Sequence, residues 1–335
     1  MNVLSLFDGI SCGRVALERA GITVDNYFAS EIDQYAMKIS NKNYPDIVQM
    51  GDITNWKSWE LPKIDLIMGG SPCQGFSNAG KGLNFEDPRS KLFFVFVDIL
   101  KYYKPKYFLL ENVKMKKEWQ DIISSLMGVE PIEINSSLVS AQNRRRLYWS
   151  NIPITQPDDK SLFIADVVEE DAQPIILHNL YGGFGESTPR VFTEKSPTIR
   201  TASGGGHIPS VVRKEIYWKD VQEHDAENVF YYTDKSFNWI NKSDERKEKF
   251  KVYDENTEEK MQMVEASHYK LYSNQRCFGI RDRGGIRYIS PIECERLQTL
   301  PDNYTQGVSN SQRYKAIGNG WTVDVIAHIL KQIKT

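Results

Sequence analysis

The chain has 335 residues, 40% of them hydrophobic and 26% charged, which are ordinary proportions for a globular protein and exclude an intrinsically disordered one. The formal net charge of -2 excludes the strongly basic balance that by itself indicates a nucleic-acid partner, so any DNA surface must be a local patch. No apolar run approaches the roughly 20 residues that cross a bilayer, and the N-terminal residues lack signal-peptide features, so we expect a cytoplasmic protein.

Residues 1 to 150 alternate short apolar runs with longer amphipathic stretches, which is typical of a doubly wound α/β domain with a parallel sheet. The predicted strands are 2–6, 27–31, 64–69, 107–111 and 132–138. The predicted helices are 13–20, 34–43, 89–103 and 117–126. Ligands of open α/β sheets bind at the carboxyl ends of the strands, so we expect the active site there.

The second half of the chain has a different pattern. Beyond residue 158 there are glycines, prolines and short β-like pieces at 189–200 and 206–212, and a mixed-charge stretch at 243–265 predicts a helix. We interpret 1–158 as the catalytic domain and 159–300 as a smaller, irregular, β-containing recognition domain with 287–301 at its base. Residues 301–335, with a predicted helix at 322–334, are expected to return to the first domain.

The first predicted strand runs into FDGISCG at 7–13, a turn that contains Gly9 and Gly13 and opens a helix. Glu31 ends the next strand about 20 residues further on, where a carboxylate can bind ribose hydroxyls. Asp52 adds a carboxylate that can accept a hydrogen bond from an adenine amino group. Together these residues predict an adenosine-containing ligand, although a glycine turn after a strand is often only a turn.

Cys73 is the cysteine whose surroundings point to chemistry. The four cysteines form no CxxC pair, which indicates a reducing compartment and no zinc site, and Cys73 lies in GGSPCQGFS, on a loop after a strand. A lone cysteine is most often a small buried thiol, whereas a nucleophilic one needs positive surroundings or a base. Arg144, Arg145 and Arg146 could supply that field, but in isolation three arginines are more often a solvated face.

Glu111 follows a strongly apolar strand in LLENV, so we expect a partly desolvated carboxyl group at the edge of the sheet. Such a group could act as a proton donor. A structural carboxylate that pairs with an arginine would fit the same position, and the residue alone leaves both interpretations open.

In this order the segments resemble the cytosine-C5 DNA methyltransferase family, whose blocks are matched by FDGISCG, EID, GDI, GSPCQGFS, ENV, QNRRRLY, RLQTLP and GNGWTVDV. The match covers nearly all of 1–150 and 284–335. It implies a Rossmann-like methyltransferase domain, S-adenosylmethionine as cofactor, no metal, and a monomeric enzyme that acts on duplex DNA. The closing segment is similar to the vertebrate de novo branch, while the short chain favours a microbial or phage member.

The resemblance also implies catalytic roles. In this family a thiolate attacks carbon 6 of cytosine while N3 is protonated, and carbon 5 takes the methyl group. Cys73 would attack and Glu111 would protonate N3. Arg146 would bind the base O2 and hold Glu111, and Arg144 would support the cysteine region or a phosphate. The nucleotide must be flipped out of the duplex, and the loop at 74–87 is expected to close over it.

The implied cofactor pocket places Phe7 and Ile32 against the two faces of adenine. Glu31 would bind the ribose, and Asp52 with Ile53 would lie at the adenine edge. The pocket is completed by Gly9, Gly13, Pro72, Leu92 and Asn319. The next residue, Gly320, stands where relatives often have a small hydroxyl residue or alanine, which leaves that contact open.

Target recognition is expected in 159–284, where KSPTIRTASGGG at 195–206 resembles a recurring segment of bacterial members. The predicted DNA contacts are Gln74, Ser77, Lys81, Arg89, Arg200 and Thr201. For Lys81, simple solvation explains the residue equally well. A cognate restriction endonuclease is a further expected partner, although a solitary or phage methylase would share these residues.

Three other functions remain open at this stage. A tRNA cytosine-C5 methyltransferase of the same family would keep the active site, although the sizeable segment 159–284 favours DNA readout. A non-catalytic DNA-binding relative would have no need for Cys73, Glu111 and Arg146 together. A Rossmann dehydrogenase would account for the glycine turn and Glu31 but leaves the other blocks unexplained.

Overall fold

In a computed structural model of the chain, the structure describes residues 1–71, 88–170, 172–178, 190–199, 209–213, 250–253, 277–280 and 286–333. The chain divides into two compact units, one formed by Met1–Leu162 with Glu295–Thr335 and the other by Phe163–Cys294. The first unit contains most of the residues that the sequence marks as functional. The domain boundaries at 158 and 300 stay predictions, and the division of the structure at 162 and 294 lies close to them.

A seven-stranded sheet forms the centre of the first unit, in the order β3-β2-β1-β4-β5-β7-β6. Its strands are β1 (Asn2–Leu6), β2 (Asn26–Ser30), β3 (Val48–Gln49), β4 (Leu66–Gly69), β5 (Tyr107–Val113), β6 (Ile132–Asn135) and β7 (Arg145–Ser150). The first five strands pair in parallel, and β7 runs antiparallel to both β5 and β6. The result is the predicted α/β sheet with an antiparallel edge.

The chain has seven α-helices within the part that the structure describes. They are α1 (Cys12–Arg19), α2 (Gln34–Asn43), α3 (Pro88–Tyr103), α4 (Lys117–Met127), α5 (Pro291–Leu297), α6 (Asn310–Asn319) and α7 (Val323–Leu330). The first four lie within two residues of their predicted bounds. No described helix is long and apolar enough to span a membrane.

Apolar residues cover both faces of the sheet, because successive side chains of a strand point to opposite faces. In β4, Leu66 and Met68 pack in one buried cluster with residues of α1, α2 and α7, while Ile67 packs in another with residues of α3 and α4. In β5, Leu109 and Leu110 divide between the same two clusters. These layers position the strand ends, where the predicted site residues lie.

Several elements of the first unit differ from the prediction. The strand predicted at 132–138 ends at Asn135, and Ser136–Leu138 forms a 3₁₀ turn because the Asn135 carboxamide accepts from Ser137 N at 3.2 Å. The arginine-rich segment that we interpret as a catalytic patch is itself a strand, β7. Helix α6 is not predicted either, because its polar sequence shows little helical periodicity.

The second unit contains two small sheets. Its strands are β8 (Ala172–His178), β9 (Arg190–Phe192), β10 (Ser210–Arg213), β11 (Phe250–Tyr253), β12 (Cys277–Ile280) and β13 (Ile286–Tyr288). One sheet has the antiparallel order β13-β10-β8-β9, and the other pairs β11 with β12 in parallel. The helix predicted at 243–265 is wrong at 250–253, where Phe-Lys-Val-Tyr has aromatic and β-branched residues that favour a strand.

Candidate active site

Glu111 lies in β5 with only 8% of its surface exposed, and each of its carboxylate oxygens contacts a different donor. Arg146 Nε lies 2.9 Å from Oε1, and the Trp321 indole Nε1 donates to Oε2 at 3.2 Å. The β5–β7 register pairs Glu111 with Tyr148, which places Arg146 at the diagonal position on the same face. The structure therefore brings Glu111 and Arg146 together as an ion pair with an indole on its other side.

Asn112, the next residue of β5, is buried and holds the chain segment that leads to Cys73. Its Nδ2 donates to Ser71 Oγ at 3.2 Å and to Ser71 O at 3.4 Å. Its Oδ1 accepts from Val113 N at 2.8 Å. Since Ser71 stands two residues before Cys73, these bonds tie the entry of the predicted nucleophile loop to the strand that carries Glu111.

Several predicted site residues lie outside the described residues. They are Pro72, Cys73, Gln74, Ser77, Lys81, Arg200 and Thr201, and the predicted closing loop at 74–87 is outside them as well. Arg89 lies in the first turn of α3. The catalytic and DNA-binding roles given to these residues therefore stay predictions.

The three consecutive arginines have three different environments. Arg144 is buried, and its Nη2 donates to Gly320 O at 3.0 Å and to Gly318 O at 3.5 Å, at the C-terminal end of α6. Burial, followed by the charge of Arg146, lowers the pKa of Arg144. Arg145 is exposed and pairs with Glu133 at 3.2 Å. Among these described contacts, Arg144 connects β7 to the closing segment, and only Arg146 pairs with Glu111.

A buried hydrogen-bond network joins three of the motifs. Thr322 Oγ1 donates to Gln298 Oε1 at 2.8 Å, and Ser136 Oγ donates to Thr322 Oγ1 at 3.0 Å. Gln142 Nε2 donates to Leu297 O at 3.1 Å. Because buried polar groups are costly unless paired, this network fixes the closing segment of the chain against the strand region that carries the arginines.

Glu31 is fixed by backbone donors between the turn after β1 and the start of α2. Its Oε2 accepts from Gly9 N, and its Oε1 accepts from Ile32 N and Asp33 N, each at 2.8 Å. Phe7 has φ 58, a left-handed conformation that costs energy for a residue with a side chain and is concentrated at functional sites. Glu31, which is predicted to bind the ribose, and Phe7, which is predicted to stack on adenine, thus lie at the ends of the neighbouring strands β2 and β1.

The other predicted cofactor residues vary in exposure. Ile32 is 73% exposed, an unusual state for a large apolar side chain beside a polar turn, and Asn319 is exposed at the end of α6. Leu92 is partly buried on α3, and Ile53 is buried. Asp52 caps the 3₁₀ helix Ile53–Ser58 through Oδ1, which accepts from Thr54 N and Thr54 Oγ1 at 2.8 Å.

Two glycines of this region are closely packed. A Cβ on Gly13 would lie 2.7 Å from Met68 Cε and 3.1 Å from the Tyr27 hydroxyl. A Cβ on Gly320 would lie 3.1 Å from Cys12 Sγ and 3.3 Å from Ile317 O, which gives a physical reason for glycine at that position. Cys12 is buried, and desolvation raises the pKa of its thiol to about 12, so this cysteine is unreactive.

Asp8 is a residue of this turn to which the sequence interpretation gave no role. Its carboxylate accepts from the Tyr27 hydroxyl at 2.7 Å and from Ser11 Oγ. Desolvation raises the pKa of Asp8 to about 6, against the hydrogen bonds, which lower it. The only sequence signal was its place inside the FDGISCG block.

We expect stability to depend on pH through Asp8. The unfolded carboxyl titrates near 3.8 and the folded one at about 6, so the folded chain holds the extra proton between these values, and the stability this gives is lost as pH rises through them. Relative to Asp8→Asn, the wild-type free energy of unfolding should fall between about pH 4 and about pH 7, by on the order of 1 to 3 kcal/mol. Urea unfolding of both proteins without cofactor measures this, and a pH-independent difference would contradict it.

The chain is similar to known proteins over nearly its whole length. The sequence model of the family described as C-5 cytosine-specific DNA methylase matches residues 1–335. The type II methyltransferase M1.ScrFI of Lactococcus lactis subsp. cremoris is 29% identical, with 99% of this chain and 77% of the relative covered. The orphan methyltransferase M.SPRI of Bacillus phage SPR is 26% identical, with 99% and 97% covered.

Solved structures give the same fold. The Entamoeba histolytica methyltransferase EhMeth superposes with a TM-score of 0.59 at 18% identity, and the alignment covers 99% of this chain and 97% of that one. At this identity the likeness concerns the fold. It agrees with the α/β methyltransferase architecture that the sequence predicts. Within the described part of the chain, no group of His, Cys, Asp and Glu side chains could hold a metal ion.

Proposed function

Because the chain belongs to the family of C-5 cytosine-specific DNA methylases, we propose that it methylates cytosine at C5 within a specific duplex sequence through a covalent bond between Cys73 and carbon 6. The observation that carries this mechanism is the Glu111 carboxyl group. It is buried and contacts Arg146 and Trp321. The next residue in the chain, Asn112, holds the segment that leads to Cys73. A nucleophile and a proton donor are the two groups that the reaction needs.

The chain's own residues supply the following steps. The Cys73 thiolate forms a bond to carbon 6 of the flipped base, and the displaced electron pair is accommodated as Glu111 gives a proton to N3. Carbon 5 is then nucleophilic and takes the methyl group. Water then takes the proton from carbon 5 as the bond to Cys73 breaks, and N3 returns its proton to Glu111, which restores the base. Arg146 has several N–H donors, so others of them can bind the base O2 while Nε holds Glu111.

S-adenosylmethionine, when bound, supplies the methyl group. The residues at the strand ends fit its adenosine part. Glu31, oriented by three backbone N–H groups, has one lone-pair site left, on Oε2, for a ribose hydroxyl. Phe7 and the exposed Ile32 offer apolar surface for the two faces of adenine, and Asp52 offers a carboxylate at its edge. Gly9, Gly13, Pro72, Leu92 and Asn319 would complete the pocket.

Recognition of the DNA sequence is assigned to residues 159–284. The proposed DNA contacts are Gln74, Ser77, Lys81, Arg89, Arg200 and Thr201. Since relatives are named both as type II and as orphan methyltransferases, a restriction endonuclease encoded beside this gene would identify a restriction-modification pair. We further propose that the enzyme acts as a monomer.

The decisive measurement is sequencing of 5-methylcytosine in DNA from cells that express the chain. We expect methylation at one short sequence, absent from cells that express Cys73→Ala. The purified protein should transfer labelled methyl groups to duplex DNA. Transfer to tRNA without transfer to duplex DNA would overturn the proposal in favour of an RNA methyltransferase.

A further inference from the structure

We propose that Trp321 is a positioning residue for the reaction, which holds the Glu111 carboxyl group in the orientation in which it meets N3 of the target base. The proposal rests on the role of Glu111 given above. Trp321 lies between α6 and α7 and is 210 residues from Glu111 in the sequence. Its motif, GNGWTVDV, is one of the blocks that resemble the family, but the sequence predicts no role for the indole.

The first argument is the division of donors between the two oxygens of Glu111. Arg146 reaches Oε1 from β7, and Trp321 reaches Oε2 from the α6–α7 connection. The terminal torsion of a glutamate is broad, so one donor on one oxygen leaves the carboxyl plane free to turn. Two donors from separate elements fix that plane before the base arrives, and such preorganisation lowers the cost of reaching the reactive geometry.

Gly70 supplies a second, independent argument. A Cβ at this position would lie 2.9 Å from Glu111 Oε2 and 3.0 Å from Trp321 Nε1. Gly70 has no positive φ, so its backbone conformation does not require glycine. The space between the indole and the carboxylate exists because residue 70 has no side chain. The segment after β4, which leads to Cys73, therefore leaves room for the Trp321–Glu111 hydrogen bond.

The indole N–H is not needed to anchor its own segment. The neighbouring residue Gly320 is held by Arg144, and Thr322 is held by Gln298 and Ser136. The Trp321 ring packs against the buried cluster on the same face of the sheet, and a phenyl ring would keep much of that contact. The hydrogen bond to Glu111 is thus a contact whose loss should affect chemistry more than folding.

The test is Trp321→Phe, alone and combined with Glu111→Gln. In the wild-type background we expect kcat to fall about 10-fold, as for the loss of one hydrogen bond to a charged group, with unchanged dissociation constants for S-adenosylmethionine and DNA. In the Glu111→Gln background the same change should lower the residual rate by less than about 2-fold, because a residue that acts through Glu111 has little left to lose. Single-turnover methyl transfer measures all four rates.

Trp149→Phe is the matched control, because the Trp149 indole donates to Ser124 Oγ at 3.0 Å inside the core, away from Glu111. It should lower the thermal midpoint and leave kcat unchanged. If Trp321→Phe does not fold, Gly70→Ala replaces it and should lower kcat in the same way. A wild-type kcat in the folded variant, or equal effects in both backgrounds, would overturn the proposal. A fully active Glu111→Gln enzyme would instead remove the proposed role of Glu111.

Discussion

Replacing Cys73 with alanine should reduce methyl transfer by at least about 10⁴-fold, because removal of the attacking atom of a covalent mechanism eliminates the main reaction path. Binding of S-adenosylmethionine should persist, since Glu31 and Phe7 lie at other strand ends. The measurement is single-turnover transfer of labelled methyl groups to duplex DNA. The same preparations should be titrated with S-adenosylmethionine.

A second assay follows the covalent bond itself. DNA containing 5-fluorocytosine cannot lose fluorine from carbon 5, so a normal enzyme should stay attached to it through denaturing electrophoresis. Cys294→Ala, which removes a buried thiol of α5, is the control and should form the complex as the wild type does. A covalent complex with Cys73→Ala, or none with the wild type, would reject Cys73 as the nucleophile.

The second large effect is expected from Glu111→Gln. Loss of a positioned general acid lowers rates by about 10²–10⁴-fold, and we expect kcat to fall in this range with little change in the KM for DNA. The glutamine also presents an N–H₂ group to Arg146 or Trp321, which are both donors. Rates should be measured at several pH values under single-turnover conditions.

Glu133→Gln is a matched control for this change. Glu133 lies in β6, which is separated from β5 by β7 in the sheet. It pairs with Arg145 at 3.2 Å and with Lys114 at 2.9 Å. Exposed ion pairs contribute about 0–1 kcal/mol, so this variant should keep both its stability and its activity. Equal losses in Glu111→Gln and Glu133→Gln would show that charge alone, and not the proton at N3, explains the effect.

Much of the fold could be predicted because it depends on local sequence. The apolar runs of β1, β4 and β5 and the periodic pattern of the first four helices are local properties, and their bounds agree with the structure within about two residues. Strand β7 and helix α6 were missed for the opposite reason. The apolar residues of β7 follow three arginines, and α6 buries Arg313 and Tyr314 in a polar sequence.

The candidate site divides in the same way. The sequence by itself predicted which side chains carry chemistry, because the FDGISCG, GSPCQGFS, ENV and QNRRRLY blocks are short segments whose residue types fit a cofactor turn, a nucleophile, an acid and a cation. The sequence could not show which partner each of the three arginines contacts. The pairing of β5 with β7 placed Arg146 on Glu111, while Arg144 connects to Gly318 and Gly320 and Arg145 to Glu133.

The sequence thus determined the family and the α/β fold, and it predicted the reacting groups, since each of these depends on contiguous residues. Only the tertiary structure decided how Glu111 is held. One donor comes from β7 and the other from a segment 210 residues away. Gly70, directly after β4, leaves room for the indole. Contacts over such separations depend on strand order and on which face a side chain occupies, and no local pattern encodes these.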